Sequence, residues 1–213
     1  MTSEIINGQN SENRIIFAHG AGAPMDTDFM NYFADGLSAK ASEKEQKSWQ
    51  VIRFEFPYMQ QRRLNGSKRP PNTQKVLLES WQDIVNKYRP EGKLVLAGKS
   101  MGGRMASLIA DSLRVDGLIL FGYPFHPPGK PEKTRTQHLE KLQTKTLILQ
   151  GERDALGNKD EVAGYQLSPQ IEIFWLADGD HGLKPRKKSG FTEQQNWQLA
   201  LDQSRSFLAE ISR

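Results

Sequence analysis

Apolar residues recur along this chain with two alternating periods, and the alternation predicts a layered α/β architecture. Short, nearly uninterrupted apolar runs stand at 14–18, 51–56, 93–97, 117–121, 146–150 and 171–176. Each has the length and the β-branched or aromatic content of a buried strand. Between them lie stretches with helical spacing. Phe29, Met30, Phe33, Ala34 and Leu37 share one face of a helix predicted from about Thr27 to Lys40. Leu77, Trp81, Ile84, Val85 and Tyr88 do so near 74–88, and Met101, Met105, Leu108, Ile109 and Leu113 after the third strand. The final helix is predicted from about Glu193 to Ile211, opened by a capping box at Thr192 and Gln195. Its inner stripe is Trp197, Ala200, Leu201, Ser204, Leu208 and Ile211. Strands alternating with helices imply a mostly parallel sheet of about six strands, flanked by helices and joined by right-handed crossovers.

The segment Gly98-Lys99-Ser100-Met101-Gly102 carries the chemistry. It is a G-x-S-x-G pattern set between a strand and a helix, the context of a nucleophile elbow. A serine there sits in strained backbone, and glycines let strand and helix approach closely. A phosphate-binding loop also ends in Gly-Lys-Ser, but it needs G-x-x-x-x-G-K-[ST]. Lys93 stands where its first glycine should be, and Leu94 to Ala97 read as strand.

A serine hydroxyl needs a base, and the base needs an orienting acid. On such an elbow the chain order is Ser, acid, His. Of the four histidines, His19 precedes the serine, and His138 lies in a charged run and reads as a solvated surface residue. His126 sits in a proline-rich loop that could line a site. His181, in the loop after the last strand, is the expected base. Asp154, in the turn leaving the 146–150 strand, is the expected acid; Glu152, Asp160, Asp178 and Asp180 compete with it. As a loop residue, Asp154 is expected to contribute little to stability. For the oxyanion hole, backbone N–H groups are expected from Met101 and, in the glycine-bearing loop His19–Pro24, from Ala21, with Gly22 as its neighbouring alternative. His19 is expected to pin that loop.

These residues resemble those of the α/β-hydrolase superfamily, over the chain from about Arg14 to its end. More narrowly, His19-Gly20-Ala21-Gly22-Ala23, Gly98-Lys99-Ser100-Met101-Gly102-Gly103-Arg104 and the string Phe121 to Lys130, with its Gly-Tyr-Pro-x-His-Pro-Pro-Gly-Lys pattern, are similar to a branch of small dienelactone-hydrolase-like proteins. The same branch is similar to the hydrolase-like region of a subunit of the animal non-specific-lethal histone acetyltransferase complex. The resemblance implies an α/β-hydrolase fold and a Ser-Asp-His triad at Ser100, Asp154 and His181, and it implies no substrate. Dienelactone hydrolases proper use a cysteine nucleophile, which this chain lacks. Six strands are fewer than a full hydrolase sheet, so an N-terminal hairpin is expected to be absent. Only Gly122 to Lys145 joins two strands where larger relatives insert a lid, so no lid domain is expected.

Composition sets the remaining bounds. The 213 residues suit one α/β-hydrolase domain, with residues 1–12 as a polar N-terminal extension that lacks the pattern of a signal peptide. The chain has no cysteine. That removes thiolate catalysis and makes the cytoplasm the expected location. No cofactor and no metal are expected. The net charge is +4, with basic clusters at Arg62, Arg63, Lys68 and Arg69 and at Lys184, Arg186, Lys187 and Lys188. They read as solvated surface, or as an attraction for an anionic substrate or acidic partner. No nucleic-acid-binding signature accompanies them, and no run approaches a membrane span, so neither partner is expected. The function read from these residues is hydrolysis of a small ester, thioester or related acyl compound. The rivals are acyl transfer on the same triad and a non-catalytic interaction module on the same fold.

Overall fold

The computed structural model describes residues 4–39 and 48–213. Seven strands form one sheet: β1 (Glu4–Asn7), β2 (Asn13–Ala18), β3 (Trp49–Phe54), β4 (Leu94–Lys99), β5 (Gly117–Phe121), β6 (Thr146–Gly151) and β7 (Ile171–Leu176). Their spatial order is β1-β3-β2-β4-β5-β6-β7, parallel throughout except for β1. The six expected strands are present. β2, β4, β5 and β6 are buried on both faces, which is why they read as continuous apolar runs rather than alternating ones.

β1 corrects the expectation of a polar extension before the first strand. Glu4 to Asn7 pairs antiparallel with β3, Ile5 opposite Arg53 and Ile6 opposite Ile52. An edge strand is held by its ladder and needs little apolar surface. Ile6 is half exposed, and the polar ends are tied down, Glu4 to Lys87 and Tyr88 and the Asn7 amide oxygen to Arg53.

Helices cover both faces. α1 (Asp28–Ser38) and α6 (Glu193–Ile211) pack on one side, while α3 (Gln74–Tyr88) and α4 (Met101–Leu113) pack on the other. Each face closes its own core, one around Phe17, Phe33, Phe121 and Leu201, the other around Phe54, Trp81, Leu96 and Met105. Thr27 caps α1 by accepting from the Met30 N–H at 3.3 Å. The expected end of that helix, Lys40, lies outside the described residues. The capping box of Thr192 and Gln195 opens α6.

Two further helices were not expected from the sequence. α2 (Pro57–Asn65) buries only Tyr58 and Met59 and carries Gln60, Gln61, Arg62 and Arg63, so it shows no apolar stripe. Its start is set by Pro57 in the first turn, where the missing N–H costs nothing. α5 (Lys159–Val162) is a single turn, closed by a capping box from Asn158 and Glu161. The Gly122–Lys145 connection carries one 3-10 turn, Leu139–Lys141, and no lid. No described helix is long and apolar enough to cross a membrane.

Candidate active site

The parallel strands end together, and their C-terminal loops bring the expected residues to one place, as open α/β sheets do. Ser100 stands between β4 and α4 with φ 50° and ψ −114°, a conformation that L-residues rarely adopt. The close packing that holds it is visible at two glycines. A Cβ on Gly98 would lie 2.2 Å from the Gly103 nitrogen, and one on Gly102 would lie 2.5 Å from the His19 carbonyl oxygen. Neither position can accept a side chain without moving α4 off the sheet. The Ser100 N–H donates to the Phe121 carbonyl at 2.9 Å, tying the turn to β5.

His181 and Asp154 complete a hydrogen-bonded chain. His181 Nε2 lies 2.8 Å from Ser100 Oγ, and its Nδ1 lies 2.7 Å from Asp154 Oδ2. A carboxylate only accepts, so Nδ1 carries the proton and the Nε2 lone pair faces the hydroxyl. Asp154 is fully buried rather than a loosely held loop residue. Its Oδ2 also accepts from Gln150 Nε2 at 2.9 Å, and its Oδ1 accepts from the Leu156 N–H at 2.8 Å.

The competing acids are engaged elsewhere. Glu152 pairs with Lys159. Asp178 pairs with Arg153 and Arg186, and its hydrogen bonds to Arg186, with the charge of Arg153, pull its carboxyl down to about 2. Asp180 Oδ1 accepts from the Gly182 and Lys184 N–H groups and so shapes the loop that carries His181. Asp160 is exposed at the start of α5.

That loop is braced from both sides. Trp197 Nε1 donates to the Gly182 carbonyl at 3.3 Å, and Asn196 donates to the Leu183 carbonyl at 2.9 Å. The Lys99 ammonium donates to the His181 carbonyl and lies 5.3 Å from the Phe29 ring centre. Burial lowers the Lys99 pKa to about 8, against the opposing pull of Asp154 and Asp180. Sequence reasoning passed over Lys99; its position inside the G-x-S-x-G motif was the available signal.

On the opposite side, His19 pins its loop as expected. Its Nε2 accepts from the Phe56 N–H at 3.1 Å, and its Nδ1 lies 2.7 Å from the Gly20 carbonyl oxygen. Burial pushes its pKa down, outweighing the carbonyl contact and the nearby Glu55. The Tyr58 hydroxyl donates to the Gly20 and Ala21 carbonyls at 3.3 and 3.0 Å. In a trans peptide the N–H points opposite to the C=O. Fixing the Gly20 carbonyl therefore fixes the direction of the Ala21 N–H, and fixing the Ala21 carbonyl does the same for Gly22. Met101 is the first residue of α4, and its N–H has no acceptor within the helix.

The two remaining histidines do not join the site. His126 is buried, with Nδ1 facing the Pro127 carbonyl and Nε2 3.3 Å from Glu161. His138 corrects the expectation of a solvated residue. It is half-buried, with Nε2 2.9 Å from Ser107 Oγ, and burial together with Arg104 pushes its pKa down to about 4. Its charged sequence neighbours concealed a ring folded back onto α4.

Ser100 and Ala21 line two cavities at once. The larger, about 530 Å³, is walled by Phe29, Met30 and Trp197 and contains Lys99 and His181. Trp197, at the part-buried end of the inner stripe of α6, packs against the core and also walls this cavity, meeting Phe29 edge to face at 5.4 Å. The smaller, about 380 Å³, is lined by Met101, Met105 and Leu156 and by Arg104 and Arg135. Among the described residues, no group of three or more His, Cys, Asp or Glu is placed to hold a metal ion.

Known structures share this fold. An α/β serine hydrolase homologue from Coxiella burnetii superposes with a TM-score of 0.67 at 17% identity, covering 94% of this chain and 90% of its own. A serine hydrolase without a lid from Xanthomonas campestris gives 0.63 at 17% identity, covering 97% and 89%. A thermophilic esterase from Thermogutta terrifontis gives 0.66 at 17% identity, covering 100% and 94%. No curated protein matches the chain at significant sequence similarity. The family model for the alpha/beta hydrolase domain matches residues 11–209, nearly the whole length, and the chain belongs to that family.

Proposed function

We propose that this protein is a serine hydrolase that cleaves a small ester, thioester or related acyl compound through Ser100, His181 and Asp154. The observation that carries the reading is the hydrogen-bonded chain of 2.8 and 2.7 Å that starts from a serine on a strained elbow. In this mechanism Ser100 Oγ attacks the substrate carbonyl while His181 Nε2 takes its proton. Asp154 holds the imidazole in the required tautomer and stabilises its cationic form. The Met101 and Ala21 N–H groups receive the developing oxyanion, with Gly22 the alternative to Ala21. His181 then returns the proton to the departing oxygen or sulfur, and water releases the acyl group by the same steps in reverse.

The similarity to serine hydrolases and an esterase supports the reaction class. The short Gly122–Lys145 connection and the two modest cavities support a small substrate. A cytoplasmic setting is the default that goes with this reading. The experiment is hydrolysis of 4-nitrophenyl esters by the wild-type chain and by Ser100→Ala. Acetate and butyrate esters are expected to turn over faster than the twelve-carbon ester, with the activity lost in the variant. A folded wild-type protein that cleaves none of them would favour the non-catalytic interaction module suggested by the branch resemblance.

A further inference from the structure

The smaller cavity holds two cations that nothing neutralises. Arg104, in the first turn of α4, donates through one terminal nitrogen to Gln74 at 3.2 Å. Its Nε is buried and has no hydrogen-bond partner. Arg135 lies on the same cavity wall, and its backbone is fixed, the N–H to Phe125 and the carbonyl to Tyr123. Among the described residues its guanidinium makes no hydrogen bond, and neither arginine has a carboxylate partner. The two charges feel each other: burial, then repulsion from Arg104, lowers the pKa of Arg135. In the basic clusters at the surface, three cations are paired with acids. Arg63 pairs with Asp26 and Glu55, Lys184 with Glu193, and Arg186 with Asp178. Among the described residues Lys68, Arg69, Lys187 and Lys188 have no acidic partner either, but they are exposed and screened by water, whereas Arg104 and Arg135 line a cavity beside Ser100.

Partly desolvated guanidinium groups without a counter-ion favour an anion, and their planar forks match a carboxylate. The position of His181 says which part of the substrate carries it. His181 hands its proton to the leaving group, and it lines the larger cavity and not the smaller. The leaving group then occupies the larger cavity. The acyl group extends past Met101 into the smaller one.

We infer that Arg104 and Arg135 bind a carboxylate at the far end of the acyl group, so that the substrate is a monoester or monothioester of a dicarboxylic acid. The inference rests on the proposed hydrolase reading and names the substrate class of that site. Ser100 Oγ bonds to the acyl carbon, and the alcohol or thiol departs with the proton held by His181. Water then replaces Ser100, and the product is the free dicarboxylate.

The test compares 4-nitrophenyl monoesters of succinic, glutaric and adipic acid with uncharged 4-nitrophenyl esters of equal chain length. At least one charged ester is expected to exceed its neutral match in kcat/KM by about tenfold or more, the scale of one hydrogen-bonded charge. That ratio should shrink as salt is raised. It should drop several-fold in Arg104→Gln and in Arg135→Gln, and Arg135→Lys should recover part of it. A ratio near one at every length, or a ratio that survives both substitutions, would overturn the inference while leaving the hydrolase reading intact. A stronger preference for 4-acetoxybenzoate, which carries its charge on the alcohol side, would overturn it as well. Calorimetric titration of Ser100→Ala with the charged and neutral esters decides the matter without catalysis. Tighter binding of the charged ester, lost in Ser100→Ala/Arg135→Gln, supports the inference even if the wild type turns over neither; equal binding overturns it.

Discussion

His19 and His181 flank Ser100 from two loops at the same edge of the sheet, and their surroundings assign them opposite roles. His19 is fully buried. Its Nε2 is occupied by the Phe56 N–H, so its proton sits on Nδ1, directed at the Gly20 carbonyl. Both ring nitrogens serve the backbone, and burial keeps the ring neutral. The His181 side chain is 32% exposed, and its nitrogens meet a carboxylate and a hydroxyl. A histidine whose nitrogens are both satisfied by main chain is a strut. One held by an acid on one side, with a free lone pair toward a serine on the other, can move a proton. The partner, and not the residue type, makes the difference.

Breaking the chemical side should give the largest effect. His181→Ala removes the base, and ester turnover is expected to fall by roughly 10⁴-fold or more. Its thermal midpoint should move little, because the side chain is partly exposed. Steady-state kinetics beside a melting curve checks both halves of that expectation.

Asp154→Asn comes next and acts on both sides of the comparison. Turnover should fall by roughly 10²–10⁴-fold, since the amide can hold the wrong imidazole tautomer. Stability should also fall, by about 1–3 kcal/mol, because an NH₂ group at the Oδ2 position would face the donors of Gln150 and His181. Denaturant titration of the variant measures this. An unchanged midpoint would return Asp154 to the loop role that its place in the sequence suggested.

The mirror experiment is His19→Ala. It leaves the Phe56 N–H unpaired and removes a ring packed against Phe56 at 5.2 Å, so stability should drop by about 2–4 kcal/mol. Turnover by the folded fraction should fall far less than in His181→Ala. Parity between the two variants in turnover would erase the distinction drawn here.

The smallest expected effect concerns acid. His138 titrates at about 4 in the folded chain, below the ordinary histidine value of about 6.5. A lowered folded pKa contributes stability that is fully present above the unfolded value and is lost as pH falls through the folded one. The melting temperature should therefore decline between pH 6.5 and 4. His138→Gln, which can keep the bond to Ser107, should decline less steeply over that window. His19 contributes in the same direction.

The sequence carried some of these features better than others, for physical reasons. β2, β4, β5 and β6 are buried on both faces, and such strands must be written as apolar runs. Ser100, Asp154 and His181 were legible because an elbow requires glycines at fixed positions and the fold fixes the order of the partners. β1 was not legible, because an edge strand is stabilised by backbone pairing that any residues can supply. Nor was α2, whose exposed face leaves only two buried residues to mark it. The electrostatics were hardest to read. The basic clusters drew attention as runs, yet Arg63, Lys184 and Arg186 in them are paired with acids, while Arg104 and Arg135 are 31 positions apart and converge only in the fold. Whether a charge is neutralised is decided by tertiary neighbours.

The central claim is that Ser100 is an activated nucleophile. The most direct measurement is covalent labelling with a fluorophosphonate, followed by peptide mass mapping of the adduct. The account predicts one modification, on Ser100, that is lost in Ser100→Ala and strongly slowed in His181→Ala. Undiminished labelling of Ser100→Ala, or no labelling of the folded wild-type protein, would contradict it.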